Sequence, residues 1–255
     1  MTITDKSWAK YIADLRAVND KAADEMRTFM MTVFDWDSKA GRQAILDYAY
    51  ALSTKYGEAA AELACEMYDA MGVLSEVTLP AAVPADTATY HDVAKAVNGV
   101  LKYSKSIEMI ASAVGRQVKM AGVDTTMKNA IRDHAQWAWI PSGDTCAFCI
   151  ALASRGWQDA SESALKDGHA EHIHSNCDCT YAIRHNKDTN VRGYDPQKYL
   201  DMYNSVSGSP KEKINAMRRQ FYKENSEEIN AQKRSAYAKQ RERESTWAEE
   251  KDVNT

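Results

Sequence analysis

Trp137-Ala138-Trp139-Ile140-Pro141-Ser142-Gly143-Asp144-Thr145-Cys146-Ala147-Phe148-Cys149 divides the chain into two characters. Before Pro141, apolar residues recur every three or four positions, the period of buried helices. From Pro141-Ser142-Gly143 to about Tyr194 that period fades, and Gly, Asp, Ser, Asn and His dominate. Such a segment has little apolar surface with which to offset its ordering entropy, so a cross-link is expected within it. The residues for one are present. Cys146 and Cys149 form a Cys-x-x-Cys pair, and His174-x-x-Cys177-x-Cys179 follows downstream. Five soft donors converging after one loop suit a single tetrahedral zinc ion, whose binding energy in small sites is folding energy.

Working upstream, Trp8, Tyr11, Ile12, Leu15, Val18, Ala22, Met26, Phe29, Met30 and Val33 form one helical stripe. Asp35-Trp36-Asp37-Ser38 supplies cap residues for a second helix carrying Ile45, Tyr48, Ala49, Leu52 and Tyr56. An alanine-rich run after Gly57 presents Leu63, Met67 and Met71 and stops at Gly72, with Cys65 expected in the core. Leu79 to Pro84 is a break, because each proline removes a donor and disfavours helix before it. Helices are then expected over 89–100, 106–121 and 124–139, with Gly122 separating the last two and Asp124 as an N-cap. His134 is expected to pack on the last of these beside Trp137 and Trp139, and His91 to lie at the surface. Cys179 to Ile183 has the alternation of a short strand, with His185 facing solvent after it.

Downstream, Ser205 to Pro210 reads as a linker, and Ser209-Pro210-Lys211-Glu212 as a capping box with proline at the first helical position. Ile214, Met217 and Phe221 give a modest stripe, after which large apolar residues almost vanish. Lys211 to Arg243 holds ten Lys or Arg against five Glu, a net +5. This is either a solvated helix with internal ion pairs or a docking tail for a partner or for nucleic-acid phosphate. The expected fold is therefore mainly α: a multi-helix body over 1–140, a zinc-knuckle subdomain with short β structure over 141–200, and a charged helical tail over 205–255.

The chain of 255 residues is 44% hydrophobic with a formal net charge of -4, enough apolar content for a real core and no global case for nucleic-acid binding. Its first residues lack a basic start and an apolar run, and no stretch approaches the roughly 18 apolar residues of a membrane span. Five cysteines, odd in number and clustered, suit a metal in a reducing compartment better than disulfides. A soluble intracellular protein is expected.

Several chemistries compete for the same residues. A two-Cys two-His finger through Cys146, Cys149, His169 and His174 needs a gap of 19 residues and leaves Cys177 and Cys179 idle. A nucleobase deaminase places His-x-Glu before its cysteines, whereas His169-Ala170-Glu171 comes after the Cys-x-x-Cys. A thioredoxin-like site needs a strand before the motif in a βαβ setting, which the helical reading up to Trp139 denies. Cys146 and Cys149 are the firm members, and two of His174, Cys177 and Cys179 complete the set, with His172 out of phase. Thiolate-rich ligation points to a structural metal, since a catalytic zinc keeps an open position. No phosphate loop or nucleophile elbow accompanies it, so no catalytic residue is assigned and no enzyme is expected.

The stretch from Trp137 to Trp157, with its Ala153-Ser154-Arg155-Gly156-Trp157 close, together with His174-Ser175-Asn176-Cys177-Asp178-Cys179, resembles the phage Mu F-type minor head proteins, in the variant of phages infecting actinobacteria. Asn215 to Arg219 and Ile229 to Arg234 resemble the region after the knuckle in those proteins. The resemblance covers roughly residues 40–240. It implies a minor capsid protein of a tailed phage, made in the host cytoplasm and carried in the virion head. There it would meet portal protein, major capsid or scaffold protein and, through the basic tail, packaged DNA, and would support head assembly, packaging or delivery without a membrane. The alternatives are a zinc-dependent hydrolase or nuclease, and a nucleic-acid-binding module acting through the tail.

Overall fold

A computed structural model describes residues 2–3, 5–33, 35–103, 106–142, 145–163 and 179–228, with 230, 231, 234, 235, 238 and 241. The chain is mainly helical. It divides into two compact units, Met1–Leu200 and Asp201–Thr255.

Four helices make most of the first unit: α1 (Asp5–Met30), α2 (Lys39–Leu74), α3 (Tyr90–Tyr103) and α4 (Ile107–Arg132). The stripe on α1 and the Ser38 N-cap of α2, whose hydroxyl accepts from the Gly41 N–H, follow the sequence reading. Glycine misleads it elsewhere. α4 continues through Gly122 and Asp124, which is an interior residue rather than a cap, while α2 joins the second expected helix to the alanine-rich run through Gly57 and α3 reaches Tyr103. Gly122 is a contact point: a Cβ there would stand 3.1 Å from the carbonyl oxygen of Ala60, so its bare backbone lets α4 approach α2.

The helix expected to run to Trp139 stops at Arg132, and Gln136–Ile140 is a strand, β2. His134 takes φ 51°, the Ala135 N–H reaches back to the Ala130 carbonyl (2.8 Å), and the His134 N–H to that of Ile131 (3.3 Å). That pairing is a Schellman ending. It turns the chain so that Trp137 and Trp139 fall on a strand rather than on a helix face.

The remaining elements are β1 (Thr2–Ile3), α5 (Ala147–Ala153), β3 (Gln158–Asp159), β4 (Thr180–Arg184), β5 (Asn190–Val191), α6 (Pro196–Asn204) and α7 (Pro210–Glu224). β2 lies between β3 and β4, antiparallel to both, while β1 and β5 pair in parallel. Because β2 precedes residue 141 and β4 follows it, the expected knuckle segment shares a sheet and a compact unit with the helical body.

Between α2 and α4 the break at Leu79 to Pro84 is an ordered strap. The Asn129 amide, 3% exposed, accepts from the Val83 N–H (3.0 Å) and donates to the Val83 carbonyl (2.8 Å), as a neighbouring strand would. The Thr125 hydroxyl accepts from Ala85 N–H, and Arg132 donates to the carbonyls of Pro80 and Ala81. These bonds satisfy a backbone that two prolines keep out of regular structure.

Candidate metal centre

The antiparallel register sets Trp139 opposite Tyr181 and Ile140 opposite Thr180. Cys179, immediately before β4, therefore lies at the sheet end where the chain leaves β2 through Pro141 and Ser142. Its Sγ is 3.9 Å from the Ser142 carbonyl oxygen. The same connection leads to Cys146, the N-cap of α5, whose backbone is extended and whose side chain does not cap the helix. Cys149 sits one turn into α5. Cys149 and Cys179 are buried members of one apolar cluster, and Cys146 packs against it half-buried.

The structure thus brings three of the five sequence-derived ligands to one cluster. His174 and Cys177, together with His169 and His172, lie outside the described residues. Among the described residues, no three His, Cys, Asp or Glu side chains gather closely enough to hold a metal ion. The donors fit zinc in kind: all three are thiols rather than disulfides, and thiolates are zinc's preferred structural ligands. Cys65 belongs elsewhere. It is buried in α2, and burial with the carboxylates of Glu62 and Asp69 pushes its thiol up to about 11, so it stays protonated.

An aromatic wall stands behind the thiols. Tyr181 packs against Trp137 and Trp139 with ring centroids 4.7 and 4.9 Å apart, and both indole N–H groups are buried without a hydrogen-bond partner among the described residues. The Arg184 guanidinium lies 4.6 Å over the Trp157 ring, and its Nε donates to the Gln136 side chain. Tyr194, edge-on to Trp157, donates its hydroxyl to the Ala153 carbonyl and ties the end of α5 in place. Burial raises the Tyr181 and Tyr194 phenols well above their usual range, so both stay neutral donors.

His185, expected in solvent, is half-buried. It meets Tyr68 edge-on at 5.6 Å, and its Nε2 is buried with no hydrogen bond among the described residues. Burial lowers its pKa, against the opposing charge of Asp133. Tyr68 itself donates to the Asp133 carboxylate and the Asn129 carbonyl. Sequence reasoning missed this network. Its one signal was a Tyr on the buried stripe of α2, which reads equally well as packing.

The fold and its thiol-bearing sheet end define a mainly helical protein with a few short strands. A family profile described as VG15 protein matches residues 2–206, most of the chain. The chain belongs to the VG15 family, a family of viral and phage genomes. No curated protein and no solved structure matches it. Among the described residues no helix is long and apolar enough to cross a membrane.

Proposed function

We propose that this VG15-family protein is a structural minor capsid protein of a tailed phage. It would sit in the virion head near the portal and support head assembly, DNA packaging or delivery, after synthesis in the host cytoplasm. The role is architectural rather than enzymatic, and its partners are portal protein and the major capsid or scaffold protein. One observation carries the reading: Cys149 of α5 and Cys179, just before β4, are buried in one cluster at the mouth of the sheet, and Cys146 packs against it. Family membership in phage genomes and the resemblance of residues 137–157 and 174–179 to minor head proteins support the same conclusion.

In this reading Cys146 and Cys149, with two of His174, Cys177 and Cys179, hold one structural zinc ion. The ion supplies a cross-link that closes the chain between β2 and β4, and no substrate chemistry. Mass spectrometry of purified phage heads should recover the chain, and metal analysis of the purified protein should return one zinc per chain. Heads that lack it would remove the capsid role. Cys146→Ala protein that keeps its full zinc content would remove Cys146 from the ligand set.

A further inference from the structure

The cations of the first and second units are handled differently. On α1, Lys10 pairs with Asp14, Arg16 with Asp20, and Arg27 with Asp24 and Glu108. On α7, Lys211, Arg218, Arg219 and Lys223 are all exposed, and none of their charged groups makes an ion pair, hydrogen bond or ring contact among the described residues. Two of the acids on the helix are occupied, and Glu227, four residues beyond Lys223, makes no ion pair with it among the described residues. Glu212 accepts from the Ser209 N–H and hydroxyl in the capping box, and Glu224 accepts from Gln220. Lys213 is the cation of this helix with partners, Asn204 and the Tyr203 ring.

The four solitary cations are also badly placed for stability. Arg219 and Lys223 stand at i,i+4, a like-charge spacing that costs a few tenths of a kcal/mol. Lys211 and Arg218, seven residues apart, lie on one line of the helix with Tyr222, and Arg219 flanks it. Phe221 and Tyr222 are exposed beside them, at 43% and 44%. At 1.5 Å per residue the array spans about 18 Å, too long for one small anion and matched to a run of phosphates. An acidic protein partner would offer carboxylates to the forks of Arg218 and Arg219, and is one outcome of the test below.

We propose that the exposed face of α7 binds the phosphate backbone of duplex DNA without reading sequence, through Lys211, Arg218, Arg219 and Lys223. This deepens the capsid reading and rests on it only for the DNA being the packaged genome. Family membership extends to residue 206, so the face belongs to the part of the chain beyond the matched residues.

The test is fluorescence anisotropy of the full chain with a labelled random-sequence duplex of about 30 base pairs across a NaCl series. Four phosphate contacts give a slope of log affinity on log salt near -3.6, or about tenfold weaker binding per doubling of salt. K211Q/R218Q/R219Q/K223Q should lose that slope and at least about tenfold in affinity, while R218K/R219K keeps both. Unchanged circular dichroism certifies that the variants fold, as expected for exposed side chains. Equal binding and slope in the quadruple variant overturn the proposal. So does competition by polyglutamate that matches the duplex charge for charge, which would mean an acidic protein partner. Recovery of the chain from virions is scored separately, so a virion protein that fails to bind DNA sinks this inference alone.

Discussion

Three long helices, α1, α2 and α4, pass through two cores that rest on different physics. In one, Met26 and Met30 of α1, Ile45 and Leu52 of α2, Val93 and Val97 of α3 and Ile110 and Val114 of α4 pack as aliphatic side chains on helix faces. In the other, Trp8, Tyr68, Met127, Trp137, Trp139, Tyr181 and Tyr194 gather with Cys149 and Cys179. The first core is assembled from helices whose own backbone bonds are local, so each element exists before α1 and α4 meet across it, as Arg27 meets Glu108 from 81 residues away. The second needs residues 136–140 to find 180–184 across the whole intervening loop. Loop closure costs entropy before any contact offsets it. A zinc cross-link would matter at the second core for that reason, and would be redundant at the first.

That difference can be broken experimentally. The largest expected effect is at the sheet. Trp139, 1% exposed, should cost about 3–5 kcal/mol when cut to Ala, since it removes a wall of the second core. Urea unfolding measures it, and a cost under about 1 kcal/mol would mean that this core is not the one holding the sheet. If the proposed zinc is bound there, its removal probes the same end without mutation. Chelation should raise hydrogen exchange at the β2 and β4 amides while α3 and the first half of α4 keep their protection. Equal loosening at both ends would erase the distinction.

Asn129 joins the cores to the strap, and Asn129→Leu should cost about 2–3 kcal/mol by orphaning the Val83 N–H and carbonyl. Limited proteolysis should then cut between Leu79 and Ala85. A variant that loses stability with the strap still resistant would place the cost elsewhere.

The sequence made the first core legible, because period 3.6 is written into each helix separately. The ends of those helices were not. α2 and α4 stop with Glu76 and His134 in the left-handed region at φ 55° and 51°, where the usual punctuation is glycine. Gly122, the glycine that looked like punctuation, serves close packing inside a helix, as Gly57 does. Gln136-Trp137-Ala138-Trp139-Ile140 did carry a strand signal in its alternating aromatics, but the stripe of Met127 and Ile131 ran on into it. The thiol site was visible as a pattern of spacings. Its place at the mouth of a sheet depends on the β2–β4 register, which no local window contains.

The Gly122 contact offers a sharper test of the shared helices. Gly122→Ala should gain helix propensity yet lose about 1–3 kcal/mol net, because the new methyl meets the backbone of Ala60 rather than a yielding side chain. A stabilised variant, read from the thermal midpoint, would show that α2 and α4 can separate at no cost.

The smallest effect concerns charge at the second core. Asp124 of α4 is half-buried near Tyr181, and desolvation raises its pKa to about 6 despite Lys128 and Arg116. In the unfolded chain an aspartate titrates near 3.9. The folded state therefore holds a proton that the unfolded state has released between those values, and stability falls as pH rises through that window. Above it the ionised carboxylate is a standing cost, about 1–2 kcal/mol after allowing for the solvent that reaches it. Asp124→Asn should be more stable than the parent by that amount at about pH 7, with the gap closing toward pH 4. Urea midpoints of the two proteins across the range give the difference directly, since every other group titrates alike in both. A gap that stays constant with pH would mean that the carboxylate is solvated, and that the second core admits water where the first does not.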